Sequence, residues 1–475
     1  MAYPFSLRGA ARDRLSLRWA LVPFAFWAAC SDNRTGQHVD LSSGDPGDMA
    51  SAGPKTCAPV GTANELSNLN GQHASPRIVT NGAGYAVAWV TGIAGAPATF
   101  RIDAALTDAT GKRVGPNLPV SMDAIAAGDP PSLAPVTGGT AIAWTRKAGP
   151  SNDIVLTVMD QNGQKLAPTG LPCAPSDSSC GLSPLTHSGL ATTPFLERPY
   201  GDKSEVGPTQ NQLGLTFVDS RNYPCTTAPC TDGNDVFWKR IQTDGAELLF
   251  EKPLTSSPGR KFAAPRLAFD GVHQGAVWRD VTTGANSDLY FTTLDNLGQL
   301  SMPPQKIGSA SGANAPSTPD ILWTGSEYAL VSATGTDATA AVLFQRQSPT
   351  GATTLSPKGI TFGGSACAPA IAFDGEAYGV VYQIDCNHAG SDLAFVRINA
   401  DGTRYALDGT SCGASVDPKC GEVLISHSEI EGASRPEMVL GTDGSFAVVW
   451  MQGREGANLD PTVPLDIYLQ RIRCQ

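Results

Sequence analysis

Charge is what this 475-residue chain has least of: Asp, Glu, Lys and Arg make up 16% of it, against roughly 25% in an average soluble protein. Basic residues are the scarcer sign, 33 Lys and Arg against 44 Asp and Glu for a formal net charge of −11, which argues against the electropositive footprint of a nucleic-acid binder. No apolar run reaches the about twenty residues that a bilayer-spanning helix needs. The sequence also lacks an HExxH pair, a Gly-x-Ser-x-Gly elbow, a Walker A loop, a Rossmann glycine fingerprint and a complete EF-hand loop, so the signatures of zinc proteases, serine hydrolases, nucleotide binders and calcium sensors are missing. The six histidines, His38, His73, His187, His273, His388 and His427, form no His-x-His pair and read as surface residues. No cofactor is expected.

Turn formers are abundant instead. Gly (51) and Pro (36) together make about 18% of the chain, where ~12% is usual. That mix disfavours a helical bundle and favours an all-β body rich in turns. A hydrophobic fraction of 41% is enough for a core and excludes wholesale disorder.

The first 29 residues have a composition of their own. Arg8, Arg12, Arg14 and Arg18 face one acid, Asp13, and the apolar run from Trp19 to Ala29 follows. A basic segment, an apolar segment of this length and small residues at its end describe a secretory signal. Cys30 comes directly after Ala28 and Ala29, and the arrangement resembles a bacterial lipoprotein signal, in which that cysteine is lipidated and begins the mature chain. Trp27 departs from that pattern, where an aliphatic residue is usual; an ordinary secretory signal with an incidental cysteine is the competing reading. Ser31 resembles outer-membrane sorting. Residues 30–56 hold almost no bulky apolar side chains and read as a flexible tether. Without residues 1–29 the formal charge falls to −14.

From residue 57 onward the chain repeats itself. The segment Pro76-Arg-Ile-Val-Thr-Asn-Gly-Ala-Gly-Tyr-Ala-Val-Ala-Trp89 recurs as Pro265 to Trp278 and Pro369 to Tyr382. Pro131 to Trp144 and Pro319 to Ser332 keep the same offset, and Pro436 to Trp450 has one residue more. A seventh copy near Phe217 keeps only its second half, and its first strand is unclear. Each copy holds two alternating apolar runs about a glycine turn, the sequence form of a β-hairpin. A second hairpin follows, its opening strand starting at an acid (Asp153, Asp235, Asp288, Asp392, Asp466) and turning at Gly111, Gly163, Gly245, Gly298, Gly351 or Gly402. Seven units of four strands, about sixty residues each, predict a seven-bladed β-propeller over 57–475, with tandem β-sandwiches as the alternative. The pattern resembles bacterial secreted propeller lipoproteins with degenerate blade repeats; WD40, kelch and complete Asp-box signatures are absent.

Two features bear on closure. The last copy stops after its third strand, at Arg471-Ile-Arg-Cys-Gln475, while Cys57 to Leu66 looks like a fourth strand without a blade. Pairing them closes the ring and sets Cys57 beside Cys474. Beyond Cys30 ten cysteines remain, an even number suited to an oxidising compartment. Spacing suggests Cys173–Cys180, Cys225–Cys230, Cys412–Cys420 and Cys57–Cys474, and leaves Cys367 with Cys386 across a hairpin. No metal site is expected: Cys225 and Cys230 lack a second ligand pair, and Asp232-Gly-Asn-Asp235 reads as a turn.

Naming the strands of a blade a to d sorts the loops. The a–b and c–d turns are short and share one face; the long connections 172–208, 219–234, 411–422 and 452–464 are expected on the other, with eight cysteines. That second face is the expected working surface, for a protein or a glycan, with the membrane reached through a lipid anchor. Around the channel mouth the template places Arg77, Ser132, Arg266, Asp320, Ala370 and Glu437. Two arginines there suit an anionic group, and Asp320 with Glu437 suits an acid–base pair of a propeller hydrolase or lyase acting on polysaccharide outside the cell. Trp89, Trp144, Trp278, Tyr382 and Trp450 recur with the repeat and read as core, and Arg221 and Tyr223, in a long loop, as partner contacts.

Overall fold

The alternating apolar runs form strands, and the strands pair antiparallel into seven sheets. This computed structural model describes residues 55–475 apart from 68–71, 83, 94–98, 122–124, 126–128, 149–150, 175–176, 178, 187, 198–211, 224–232, 283–285, 312–318, 336–338, 362–364, 387–390, 414–418, 427–431 and 454–464. Outside the described residues lie the signal-like segment, Cys30, the tether up to 54, Cys225 and Cys230, Asp232, and the histidines His38, His187, His388 and His427. No helix occurs among the described residues, so none is long and apolar enough to cross a membrane.

The innermost strands are Gln72–Asn81, Ser132–Val136, Ala191–Glu197, Phe262–Phe269, Asp320–Trp323, Ala366–Phe373 and Ala433–Leu440. Each packs against the next and the last against the first, which closes a seven-bladed propeller. The apolar core is correspondingly divided into seven layers, one in each inter-blade interface. Trp89, Trp144, Trp278, Tyr382 and Trp450 are fully buried in these layers.

Why proline recurs is a matter of backbone geometry. In the first, third, fourth, sixth and seventh blades the residue before it (Ser75, Thr193, Ala264, Ala368, Arg435) has a positive φ of 47–54°. That region is costly for a residue with a Cβ. The strand there carries one residue more than its partner: Ala74 pairs with Val90 but Arg77 with Ala88. Such a bulge re-aims the next side chain, and it stands opposite the buried aromatic of the second strand. Thr193-Pro194 supplies the first strand that the third blade had seemed to lack, Ala191–Glu197.

The c–d turns do two jobs. Asp108, Asp160 and Asp295 each accept backbone N–H bonds two and four residues on, at 2.8–3.1 Å. The glycine of the turn takes a positive φ, 83° at Gly111, 84° at Gly163 and 70° at Gly298, and also lies against the preceding blade. A Cβ on Gly298 would fall 2.1 Å from the ring of Trp238, whereas one on Gly259 (φ 76°) meets nothing within 4 Å. Gly298→Ala should therefore cost about 2–4 kcal/mol, adding overpacking to backbone strain, and Gly259→Ala about 1. Equal urea midpoints for the two variants would show that the turn glycines do not lock neighbouring blades.

A second latch recurs where the outer strand ends. A backbone N–H near the start of the third strand donates to a Ser or Thr hydroxyl: Ile102 to Ser121 at 2.7 Å, Ile154 to Thr186 at 2.8 Å, Val236 to Thr255 and Val342 to Thr361 at 3.0 Å, Leu393 to Ser426 and Ile467 to Ser67 at 2.9 Å. The residue before each hydroxyl is a buried Val, Leu or Ile. The acid that opens the third strand accepts from the same hydroxyl in three blades, Asp235 from Thr255 at 2.9 Å, Asp392 from Ser426 at 3.0 Å and Asp466 from Ser67 at 3.1 Å.

In the second and sixth blades the outer strand is broken. Lys165–Leu166 and Ser183–Pro184 both pair with the third strand Ser151–Asp160, and the chain between them leaves the blade and returns. Val423–Leu424 completes the sixth blade after the same detour from Arg404. Both excursions close alike, with Cys173 N donating to Lys165 O and Cys412 N to Arg404 O, each at 2.8 Å. The Cys173–Cys180 and Cys412–Cys420 disulfides thus pin detours at the outer edge. The sequence placed these four cysteines on the long-connection face; a two-residue strand on either side of a loop is too short to leave an alternation pattern.

Closure follows the expected route. The strand Cys57–Glu65 pairs antiparallel with Asp466–Cys474, and Cys57 is bonded to Cys474. Thr56 N donates to Gln475 O at 2.7 Å and Gln475 N to Thr56 O at 2.9 Å. Where six blades have a glycine turn, the seventh has this disulfide. Cys367–Cys386 is the fourth bond among the described residues.

Candidate functional site

The bulges converge on the propeller axis. Arg77, Ser132, Phe195, Arg266, Asp320, Ala370 and Glu437 are the residues after the seven aligned prolines. Arg77 is salt-bridged to Glu437, and Arg266 Nη2 donates to the same Oε1 at 2.8 Å, so the first, fourth and seventh blades meet across the channel. The Arg266 guanidinium also lies 4.7 Å from the ring centroid of Phe195, a cation–π contact. Asp320 Oδ2 accepts from Ile371 N at 3.0 Å, and Ser132 Oγ from Leu196 N at 2.7 Å, each tying its blade to the next.

Five of these residues stand deeper than the channel mouth. Arg77 falls in the middle of Gln72–Asn81 and Arg266 in the middle of Phe262–Phe269, because those strands begin several residues before the proline, whereas Ser132 and Asp320 open theirs. Nearer the d–a side the bulge residues form a second tier. There Arg435, exposed, donates to Ser75 Oγ at 2.8 Å. Phe195, Arg435 and Ser75 escaped the sequence reading; the shared signal was the position next to an aligned proline.

Burial governs the electrostatics. It holds the Arg77 guanidinium well below its ordinary value, with Arg266 and Arg435 pushing the same way, and it lowers Arg266 too. Burial raises the Asp320 carboxyl above the ordinary aspartate range despite the attraction of Arg266. Three guanidiniums therefore share this axis with two carboxyl groups.

The two loop residues are engaged within the fold. Arg221 binds the buried carboxylate of Asp219 and that of Glu251, and stacks 4.7 Å from the Phe237 ring centroid. It clamps the loop onto the third blade instead of projecting to a partner. Tyr223 N donates to Ser220 O at 2.8 Å, and its phenol is raised by burial and by Asp235. Asp235 itself accepts from Asn222 Nδ2 at 3.0 Å. His73 is another correction: it is buried, with Nδ1 3.2 Å from both Thr91 Oγ1 and Trp89 Nε1. Its place three residues before an aligned proline puts it inside a strand. Among the described residues no group of three or more His, Cys, Asp or Glu is placed to hold a metal ion.

No family model and no curated sequence matches the chain. Among solved structures it is similar to the α-L-arabinofuranosidase of Fusarium graminearum, at 10% identity and a TM-score of 0.41 over 87% of this chain and 98% of that one. It is similar to the NanB sialidase of Streptococcus pneumoniae, at 12% identity and 0.40 over 86% and 69%. It is also similar to a puromycin-hydrolysing peptidase of Mycobacterium tuberculosis, at 12% and 0.45 over 87% and 55%. At such identities and TM-scores the likeness carries nothing about chemistry.

Proposed function

We propose that the chain is an exported, membrane-anchored propeller that binds a protein or glycan ligand on the face of the long b–c and d–a connections, with the axial channel at its centre. The observation that carries this reading is the surplus of guanidinium over carboxyl groups at the axis of a chain whose net charge is negative. Export is supported by four disulfides, which persist in oxidising compartments, and by the signal-like first 29 residues. Anchorage at the outer membrane or cell surface rests on Cys30.

A second reading, a glycoside hydrolase or polysaccharide lyase acting outside the cell, has one observation in its favour. The Asp320 carboxyl is raised by burial, and Glu437, paired with two arginines, lies on the same axis; a carboxyl raised by its surroundings near a second carboxylate suits an acid and a base. One preparation tests both readings. Full-length protein with Cys30→Ser should leave the membrane fraction, and on a glycan array it should retain discrete glycans without releasing reducing ends. Release that disappears in Asp320→Asn would establish the hydrolase instead, and persistence in the membrane fraction would refute the lipid anchor.

A further inference from the structure

Six of the seven blades set a large aromatic at one register position, and the fifth does not. In each blade the residue after the aligned proline pairs with a second-strand residue, and the next residue along that strand is the one in question. It is Trp89, Trp144, Phe217, Trp278, Tyr382 or Trp450 in six blades, fully buried every time. In the fifth blade Asp320 pairs with Val331, so the position falls to Ser332. The aromatics face the preceding blade; Trp278 packs with Trp238 and Leu254 of the third. At the matching place between the fourth and fifth blades lies a cavity of about 20 Å3. Ser332, Thr334 and Gln345 line it from the fifth blade, and Arg279, Ser287 and Ser309 from the fourth.

We infer that this cavity is a hydration site, in which one ordered water molecule takes the place of the aromatic ring and joins the fourth blade to the fifth through Arg279 and Gln345. Size selects the occupant: a water needs roughly 10–15 Å3 of such space, and a sugar ring or a partner's side chain is too large. Chemistry selects the same one. Gln345 is 2% exposed, and its Oε1 has no hydrogen-bond partner among the described residues, a rare state for a buried acceptor. An anion would be repelled by that carbonyl, and a cation by the Arg279 guanidinium on the fourth-blade side. Arg279 is itself held in place, its Nε donating to Ser287 Oγ at 2.7 Å. A neutral molecule that donates and accepts, shared among two to four polar groups, meets these demands, and water is the smallest. Beside the cavity Thr334 Oγ1 donates to Ser309 O at 3.3 Å, tying the same two blades directly.

A high-resolution crystal structure of the full-length protein, repeated under xenon pressure, tests this, because xenon enters dry apolar cavities. A water peak should lie within hydrogen-bonding distance of Gln345 Oε1, and xenon should not enter. Gln345→Met keeps the length of the side chain and removes the acceptor; it should lose the water peak and admit xenon. A cavity without the water peak, xenon in the unaltered protein, density for a larger molecule, or a water peak that survives in Gln345→Met overturns the inference.

Discussion

Glu437→Ala should lower the stability of the propeller by about 3–5 kcal/mol, the cost of removing one partner from a largely buried ion pair. The carboxylate is shared by Arg77 and Arg266, whose side chains are 15% and 6% exposed, so its loss leaves two guanidiniums facing each other in a narrow channel. Each arginine replaced by Met should cost less than the acid, because Glu437 then keeps one partner. Replacing all three by apolar residues of similar volume should recover much of the loss, since desolvation of the ions offsets their attraction. Urea unfolding of the variants as a double-mutant cycle measures the coupling. Additive losses at Glu437 and Arg266 would mean that the cross-channel contact does not hold the fourth and seventh blades together.

Removing the ring-closing disulfide should have an effect of the same order. Cys57 and Cys474 are 417 positions apart, Cys173 and Cys180 only 7. A cross-link stabilises chiefly by restricting the unfolded chain, and the restriction grows with the logarithm of the loop. The double variant Cys57→Ala with Cys474→Ala should lose about 5 kcal/mol, and Cys173→Ala with Cys180→Ala about 2–3. The first should also expose the strand Cys57–Glu65 to hydrogen exchange, because it is covalently held at the same end as its backbone pairing with Gln475. Equal losses from the two pairs would rule out the loop-length account.

The blades were legible in sequence because their core signals are local: two alternating runs about a glycine turn and an aromatic at a fixed distance from a proline. Closure was legible because two partial blades, at Cys57 and at Arg471, were complementary. The third blade's first strand was not, since Thr193-Pro194-Phe195 is separated from its partner Gln212–Asp219 by far more chain than a tight turn. The broken outer strands were hidden for a different reason, having only two residues on either side of each detour. The latch of a Val, Leu or Ile followed by Ser or Thr at 66–67, 120–121, 185–186, 254–255, 360–361 and 425–426 was present in the sequence. It went unseen because its meaning depends on a backbone N–H in another strand.

At the site, the ring of residues after the prolines was legible in position but not in role. Sequence placed Arg77, Arg266 and Glu437 near one another; that they pair across the channel depends on side-chain reach. Arg221 looked available for the opposite reason: its partners Asp219 and Glu251 come from the end of the second strand and from the outer strand of the same blade.

The disulfide that stands in for the seventh turn also decides how the ring answers to a mechanical load. A force drawn through the chain ahead of residue 55 meets only the Thr56–Gln475 pair before Cys57, and the bond to Cys474 lies before the ladder pairs that run from Ala58 and Arg473 to Glu65 and Tyr468. Pulling from that end therefore cannot unzip the closing strand one hydrogen bond at a time. The load passes into the third strand of the last blade, at Cys474, and from there into the interior of the ring.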